Sequence, residues 1–481
     1  MQFTFEHETM ETPNVVLVTV DCLRYDRCGF NGHGRNTTPV LDALANESFV
    51  FDNAYSTGPY TTESFPGILA GQHSYNGAHY GNHLAWKALP TTSPTLGTYF
   101  QDHGYRTIAT LTNPHLTQDR NFDRGFDQYQ NLRTDGQGDA GSVTWPGEID
   151  QTDLMYDFRS RMRTHGTLVN PYTLPYMAYR YYQYLNEWPS IDGTQVMSQY
   201  LANLEDAGEP FFGWTHLMDL HAPISPNTIR EGGLAKSNSV WRHLLSDAAR
   251  VSWIYEPACQ SIYDSALRYV DNRIGELISA LRARKQWEET VLIVTGDHGE
   301  VLFDRDGIYG HPRHHLFDEL LHVPLLVRVP GCEGTRIDNP VSLAWIHELL
   351  AEILEFNPGA FPARSQSDSL LEDSTGDSAK IISDSLDGAG QSTVVRDDRY
   401  KLLTHSSTDG EADRSYEFME QDIVYRYATD AGERVPLASS TAPELGDIAR
   451  ELEIHPGDHP SIDGDFDPAV EQHLRDLGYK M

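Results

Sequence analysis

Lysine is scarce in this chain, and positive charge is in short supply overall. Six lysines are spread over 481 residues, and 70 acidic residues face 36 basic ones, for a net charge of −34. The acidic residues run along the whole chain rather than forming a tail. This balance argues against nucleic acid as a partner, because phosphate contacts need a basic face. It is typical of proteins from halophilic archaea, in which cytoplasmic salt screens the repulsion, and we expect a halophilic protein.

Long apolar runs and cysteine clusters are also lacking. No stretch approaches the roughly 20 apolar residues of a membrane span, so we expect no membrane partner. Residues 1–13 have neither the basic start nor the apolar run of a secretory signal. Cys22 and Cys28 are too far apart for a CxxC redox pair, and four cysteines make no disulfide scaffold in a chain of this length. These features predict a cytoplasmic protein.

Three apolar runs predict buried strands. Residues 14–20 are rich in valine and end at Asp21, residues 290–295 lead to Asp297, and residues 323–329 end at a Pro-Gly pair. Continuous apolar runs of this kind are typical of parallel strands covered on both faces. Ligand sites of open α/β sheets lie beyond the carboxyl ends of the strands, where two of these runs place a carboxylate.

The rest of the chain predicts the domain organisation. Apolar residues recur at helical spacing over 262–281, so strands alternate with helices in a doubly wound, mostly parallel α/β fold. Residues 394–403 predict a hairpin or meander, and 470–477 a short terminal helix. The expected divisions are an α/β catalytic domain over 1–360, a linker or exposed loop over 361–379, and a smaller C-terminal α+β subdomain over 380–481.

Carboxylates and imidazoles that follow strands are candidate metal ligands. Asp21 alone is typical of a turn or a helix cap. Asp297 and His298 stand side by side on a tight turn, and such oxygen and nitrogen ligands suit Zn²⁺, Mn²⁺ or Mg²⁺. Single histidines are mostly hydrogen-bonded core or surface residues, but two segments near strands concentrate them: His216, Asp219 and His221 in one, and His311, Arg313, His314 and His315 in the other.

The order of these segments resembles the sulfatase branch of the alkaline-phosphatase superfamily, nearly from end to end. The residues that carry the resemblance are the first strand with Asp21, the segment Thr61-Thr-Glu-Ser-Phe-Pro-Gly-Ile-Leu-Ala-Gly71, Gly104-Tyr-Arg-Thr107, Asn113-Pro-His115, Gly125-Phe-Asp127, the 212–223 histidine segment, Thr295-Gly-Asp-His-Gly-Glu300, Leu316-Phe-Asp-Glu319 with Val323-Pro-Leu325, and Gln472-His-Leu-Arg-Asp-Leu-Gly-Tyr479.

The resemblance implies a role for each matching residue. It implies a divalent metal ion (Mn, Zn, Mg or Ca) and a nucleophile at Thr61, which also contacts the metal. It implies Asp21, Asp297 and His298 as metal ligands, and as groups around the anionic ester His115, His221 and one or more of His311, Arg313 and His314.

Departures from the sulfatase pattern affect the expected chemistry. Thr61 stands at the position of the family's cysteine, Glu63 at that of its proline and Phe65 at that of its arginine. Formylglycine cannot form from threonine, whereas threonine nucleophiles are typical of nucleotide phosphodiesterases and lipoteichoic-acid synthases of the same superfamily. Cys22 replaces the usual second aspartate, which removes one oxygen ligand.

The sequence therefore predicts metal-dependent hydrolysis of a phosphate- or sulfate-type ester through Thr61, with a small anionic ester as substrate. Two alternatives remain: a phospho-group transferase or phosphomutase of the same superfamily, and a non-catalytic sulfatase-like binding protein. The tyrosine-rich segment 172–188 is either an amphipathic helix on the body of the protein or a lid over the leaving group.

Overall fold

The computed structural model describes residues 12–132, 191–236 and 252–454, with short gaps at 77, 81–86, 223, 306, 366, 374–378, 388–389, 408–421, 427–428 and 431, together with residues 461–462. The strands are β1 (Asn14–Val20), β2 (Phe49–Phe51), β3 (Ala54–Tyr55), β4 (Ala78–Tyr80), β5 (Lys87–Ala88), β6 (Arg106–Leu111), β7 (Gln128–Asn131), β8 (Phe211–Leu217), β9 (Thr290–Gly296), β10 (Val301–Leu302), β11 (Tyr309–Gly310), β12 (Leu325–Arg328), β13 (Thr335–Ile337), β14 (Val341–Ser342), β15 (Ile381–Asp387), β16 (Gly390–Arg396), β17 (Lys401–Ser407), β18 (Ile423–Tyr425), β19 (Leu437–Ala438) and β20 (Ser461–Ile462). The α-helices are α1 (Pro39–Ala45), α2 (Thr61–Ala70), α3 (Leu96–Asp102), α4 (Gly193–Glu205), α5 (Pro226–Gly232), α6 (Ser252–Ala283), α7 (Asp318–Leu321), α8 (Ile346–Leu354) and α9 (Pro443–Glu451).

An eight-stranded sheet with the order β13-β2-β12-β9-β1-β8-β6-β7 forms the centre of the molecule. Strand β1 lies between β9 and β8 and is parallel to both, and β6 and β7 continue the parallel array on the β8 side. The predicted doubly wound, mostly parallel α/β fold is therefore confirmed. Because neighbouring parallel strands end at the same edge, whatever follows β9, β1, β8 and β6 is brought together there.

Helices cover both faces of this sheet. Alternate residues of β1 pack into two different cores: Val15 and Leu17 on the side of α2, α3 and α8, and Val16 and Val18 on the side of α6. The helix predicted over 262–281 is confirmed as part of α6, whose apolar face lies in the second core. Burial on both faces explains why β1 reads as a continuous apolar run rather than as an alternating one.

One predicted parallel strand has the opposite direction. The run at 323–329 forms β12, which pairs antiparallel with both β9 and β2. The chain leaves β9 at the carboxyl edge of the sheet, stays at that edge and enters β12 from the same end, which makes the pair antiparallel. All residues of β12 are buried, so its apolar pattern carried no information on direction.

The C-terminal region forms a separate antiparallel sheet with the order β15-β16-β17-β18-β19, and α9 packs on it. The hairpin predicted over 394–403 is confirmed as the β16–β17 pair. Strand β15 also contacts the central α/β region, since the backbone amide of Asp384 donates to the carbonyl of Thr57 at 2.8 Å. The domain boundaries remain predictions, and the short helix expected at 470–477 lies outside the described residues.

The segment 361–379, expected as a linker or exposed loop, packs partly on the body. Phe361 and Leu370 are buried in the main core, and the amide of Ala363 donates to the carbonyl of Gly71. Within the part of the chain that the structure describes, no helix is long and apolar enough to cross a membrane. The tyrosine-rich segment 172–188 lies outside that part, so neither of its two interpretations is tested.

Candidate active site

The carboxyl ends of β1, β8 and β9 bring four polar residues together. Three are the predicted metal ligands Asp21, Asp297 and His298, and the fourth is His216. His298 Nε2 lies 3.8 Å from Asp21 Oδ1 and 3.5 Å from Asp297 Oδ2. His216 is the next-to-last residue of β8, and its Nε2 lies 3.5 Å from Asp21 Oδ2. All four side chains are completely buried. Side chains that lie up to 277 residues apart in the sequence thus form one polar cluster.

The pKa values of the two aspartates in this cluster are shifted in opposite directions. Burial raises the pKa of Asp21, but the hydrogen bond from His216 and the nearby imidazole of His221 outweigh it, so the pKa lies well below its usual value. Burial and the charge of Asp21 together raise the pKa of Asp297 well above its usual value. Two carboxylates this close repel each other when both are ionised, and a bound cation would relieve that repulsion.

Thr61 lies next to this cluster, in contact with Asp21. It is the first residue of α2, 2% exposed, and its Oγ1 lies 3.5 Å from Asp21 Oδ2. Helix α2 is buried along its whole length and ends at Gly71, whose φ of 60° is the left-handed conformation that closes a helix without a side-chain penalty. The amino end of the helix, where backbone amides and the helix dipole favour anions, therefore faces the carboxyl edge of the sheet.

The predicted substrate-contacting groups surround Tyr60, the residue before Thr61. The rings of His115 and His311 lie 6.0 Å and 5.1 Å from the Tyr60 ring, and the guanidinium of Arg313 lies 4.3 Å above it. His221 packs 4.9 Å from His311. The structure thus brings His115, His221, His311 and Arg313 to the side of the cluster that Thr61 faces. Their roles toward a substrate remain predictions.

Burial keeps two of these imidazoles neutral. It is the main cause that lowers the pKa of His221 to about 4, and the charge of the nearby His311 adds to it. The pKa of His115 lies well below its usual value, first through burial and then through the adjacent Arg120, whose Nη1 is 3.2 Å from His115 Nδ1. Both rings therefore act near neutral pH as uncharged donors or acceptors, and Arg313 carries the fixed positive charge.

Two candidates are turned away from the cluster. His314 places its Nδ1 3.0 Å from Ser392 Oγ and its Nε2 3.0 Å from Asp387 Oδ1, so its ring faces the C-terminal sheet. Of the three alternatives in that segment, the geometry favours His311 and Arg313. Asp219, expected near His216 and His221, instead accepts from the amide of Gly193 at 3.1 Å at the start of α4.

Sequence reasoning missed several residues of the site. His216 belongs to the predicted histidine segment, which assigns it no role, and in the structure it lies within β8. The sequence predicts that Cys22 removes an oxygen ligand, yet its Sγ lies 2.9 Å from Asp21 Oδ1 and 3.1 Å from Glu300 Oε2. Glu63, regarded only as a departure from the family pattern, is fully buried and accepts from Lys87 Nζ at 3.1 Å. Only Glu300 carried a signal, since it ends the Asp297-His298 motif.

The cluster is chemically suited to a divalent cation. The side-chain oxygens and nitrogens of Asp21, His216 and Asp297 can all lie within 4.8 Å of one another, as can the ligand atoms of Cys22, His298 and His311. Asp297 Oδ2 and His298 Nε2 are buried and have no hydrogen-bond partner among the described residues. Buried polar atoms without partners are costly, and a cation between them would remove that cost.

A protein-family model named Sulfatase matches residues 13–356. The chain belongs to the sulfatase family. An arylsulfatase of Clostridium perfringens is 23% identical over 352 residues, covering 66% of this chain and 69% of its own. Human iduronate 2-sulfatase is 23% identical over 359 residues, covering 68% of this chain and 62% of its own, so both alignments leave about a third or more of the relative unmatched.

Solved structures share the fold over nearly the whole chain. The phosphonate monoester hydrolase of Agrobacterium radiobacter superposes with a TM-score of 0.63 at 19% identity, covering 92% of this chain and 94% of its own. The predicted sulfatase family and the ester-hydrolase class are confirmed by the family match and by the curated sulfatases that the chain resembles.

Proposed function

We propose that this sulfatase-family protein hydrolyses a small phosphoric or sulfuric ester with Thr61 as the nucleophile and with a divalent cation held by Asp21, Asp297 and an imidazole of His298 or His216. The observation that carries the proposal is the position of Thr61. Its hydroxyl lies at the amino end of a buried helix, 3.5 Å from an aspartate of the polar cluster. A nucleophile of this superfamily needs that combination of a nearby cation site and an anion-binding helix end.

The cation, when bound, would lower the pKa of the Thr61 hydroxyl and reduce the negative charge of the site. The protein's own side chains supply the nucleophile and stabilise the charge of the transferred group. Thr61 Oγ forms a bond to the phosphorus or sulfur atom as the bond to the leaving oxygen breaks. Arg313, held beside Tyr60, attracts the non-bridging oxygens, because transfer of such groups depends mainly on positioning and electrostatics.

His115 and His221 are the candidates for proton transfer. Both are neutral near pH 7 in the free site, and an incoming anion raises the pKa of an imidazole beside it. One of them takes the proton of the Thr61 hydroxyl as the new ester bond forms and passes it to the leaving oxygen. Water then attacks the phosphorus or sulfur atom of the ester on Thr61, and a proton of that water returns through the imidazole to the threonine oxygen, which restores the hydroxyl. The products are the free alcohol and an inorganic or monoester anion.

We expect phosphate esters to turn over faster than sulfate esters. Threonine cannot form the hydrated aldehyde from which a sulfate ester is readily released. A threonine phosphoester, in contrast, is hydrolysed by attack at phosphorus. The preference is measured by comparing kcat/KM for matched nitrophenyl phosphate, phosphonate and sulfate esters in molar KCl, with each candidate metal added in turn.

The test of the nucleophile is Thr61→Ala beside Thr62→Ala. Both threonines are 2% exposed and lie in the first turn of α2, so the two variants remove the same atoms at the same depth of burial. Only the Thr61 hydroxyl lies beside Asp21, since Thr62 Oγ1 has no hydrogen-bond partner among the described residues. Thr61→Ala should lower kcat by a factor on the order of 10³ to 10⁶, as loss of a nucleophile does elsewhere. Thr62→Ala should retain activity near that of the wild type. Equal losses in the two variants, or full activity of Thr61→Ala, would refute the threonine mechanism.

A further inference from the structure

Arg313, which the proposed function uses as its fixed positive charge, lies on a turn between β11 and α7 rather than in a strand or helix. The amide of His315 closes that turn by donating to the carbonyl of Pro312 at 3.3 Å. An arginine side chain has many rotamers, and each one places the guanidinium elsewhere. The position of the charge therefore depends on what holds the turn and on what holds the guanidinium.

His314 occupies the third position of this turn in a strained backbone conformation. Its φ is 62°, in the left-handed region that is costly for a residue with a side chain and free of cost for glycine. Turns with a positive φ at this position favour glycine or asparagine for that reason. A histidine keeps the conformation at a cost in stability, so the contacts of its side chain must offset that cost.

The His314 side chain is inserted into the C-terminal sheet. It is buried, and its Nδ1 lies 3.0 Å from Ser392 Oγ on β16 and its Nε2 3.0 Å from Asp387 Oδ1 on β15. The Ser392 hydroxyl also lies 2.8 Å from Nδ1 of His405 on β17. A hydroxyl can donate to one imidazole and accept from the other, so Ser392 links the two rings. Three neighbouring strands thereby fix the orientation of one imidazole.

The backbone and the charge partner of Arg313 are connected to the same sheet through one serine. Ser385 Oγ on β15 accepts from the amide of His314 at 3.3 Å and donates to Glu63 Oε1 at 3.0 Å. Arg313 Nη1 lies 3.6 Å from that carboxylate oxygen, and its guanidinium lies 4.3 Å above the Tyr60 ring. Both the main chain beside Arg313 and its guanidinium are therefore placed by contacts that lead to β15.

Polar contacts of this kind fix a geometry more narrowly than apolar ones. A buried imidazole, hydroxyl and carboxylate lose their hydration, and that loss is offset only where each finds a partner at the right distance and angle. An apolar side chain at the position of His314 could fill the same space with the turn displaced. The polar contacts hold the turn in one place, which is what a charge that must meet an anion requires.

We propose that His314 is a positioning residue for Arg313, and that the C-terminal sheet, through His314, sets the affinity of the site for an anion. The inference rests on the role of Arg313 in the proposed function, but not on which metal is bound or on the nucleophile, which the Thr61→Ala variant tests separately. It extends the functional site to Ser392 and His405, which act on the anion only through His314 and Arg313.

Inorganic phosphate is a suitable probe, because it occupies an ester site without turnover. Its dissociation constant is measured by titration calorimetry on the metal-loaded full chain in molar KCl. Arg313→Ala should weaken phosphate binding by about tenfold or more, as loss of a hydrogen bond to a charged group does. His314→Gly, which keeps the positive φ and removes only the side chain, should weaken it by about fivefold.

The double variant Arg313→Ala/His314→Gly separates positioning from any other effect. If His314 acts through Arg313, the double variant binds phosphate as Arg313→Ala does, because no guanidinium is left to misplace. A general loosening of the site would instead multiply the two losses. Ser392→Ala, in the presence and absence of Arg313→Ala, gives the same comparison if His314→Gly fails to fold.

The matched control is His315→Ala, which removes the next imidazole of the turn. The ring of His315 packs 4.7 Å from that of Phe317 at the start of α7, so the variant should bind phosphate like the wild type. Equal losses in His314→Gly and His315→Ala, multiplied losses in the double variant, or wild-type affinity of His314→Gly would each overturn the inference and leave the proposed function intact. Wild-type affinity of Arg313→Ala would overturn the inference together with the role of Arg313.

Discussion

The pair of Glu63 and Lys87 offers a quantitative test of how the site is built. Glu63 lies two residues after Thr61, is fully buried, and its Oε1 accepts from Lys87 Nζ at 3.1 Å, from Ser385 Oγ at 3.0 Å and from the amide of Leu386 at 3.2 Å. Arg313 Nη1 lies 3.6 Å from the same oxygen. Glu63 therefore links the helix that carries the proposed nucleophile to the C-terminal sheet and to the guanidinium of the site.

Glu63→Gln removes the negative charge and keeps the shape of the side chain. Lys87 is 2% exposed, burial lowers its pKa, and the charge of Glu63 opposes that effect. Without Glu63, a buried ammonium remains with less compensation, a situation that costs about 3–5 kcal/mol in other proteins. The loss of stability in Glu63→Gln has an upper limit, because Lys87 can release its proton and become neutral rather than remain a buried charge without a partner. At pH 7 this costs about 4.6 kcal/mol, which is 1.36 kcal/mol for each pH unit below a pKa of about 10.4.

This upper limit predicts how the loss of stability changes with pH. At pH 9 it falls to about 1.9 kcal/mol by the same arithmetic. We therefore expect Glu63→Gln to lower the free energy of unfolding by about 3–4.6 kcal/mol at pH 7 and by less than about 2 kcal/mol at pH 9. The measurement is urea unfolding of wild type and variant at fixed molar KCl, with midpoints compared at equal slope.

The double variant Glu63→Gln/Lys87→Met is the control. It removes both charges, so it should recover most of the stability that Glu63→Gln alone loses at pH 7. If Glu63→Gln lowers the free energy of unfolding by less than about 1 kcal/mol, the pair contributes no more than an exposed ion pair, and the reasoning is refuted. A loss that is equal at the two pH values would also refute the reasoning, because it would show that the charge of Lys87 is not the cause.

Two further predictions concern the whole fold. Lowering KCl from molar to low concentration should reduce the melting temperature by several degrees, because 70 acidic residues then repel one another without screening; an unchanged melting curve contradicts the halophilic interpretation. His347 is 1% exposed, and burial lowers its pKa to about 4, so it stabilises the fold above about pH 6.5 and that stability is lost as the pH falls through 4. His347→Gln should flatten the pH dependence of unfolding between pH 6.5 and 4 by about 3 kcal/mol relative to the wild type, and identical profiles would exclude this role.

The fold could be predicted from sequence because its strands are unambiguous. The run at 14–20 and the run at 290–295 were located to within one residue of β1 and β9, since strands buried on both faces carry continuous apolar sequences. The meeting of Asp21 with Asp297 followed from the same signal, because parallel neighbours end at a common edge. The antiparallel direction of β12 could not be predicted, since a continuous apolar run fits a parallel and an antiparallel strand equally well.

The sequence by itself determined which residues end the central strands, and so it determined that Asp21, Asp297 and His298 would share one edge with the start of α2. It also determined that Thr61 stands where the family carries cysteine. Only the tertiary structure decided that Cys22 meets Glu300 across 278 residues and that Glu63 pairs with Lys87. It likewise turned His311 toward the cluster and His314 away from it. Strand ends are fixed by local patterns of burial, whereas the direction of a side chain in a loop depends on the local backbone and side-chain dihedral angles, and its partner is set by how distant segments pack.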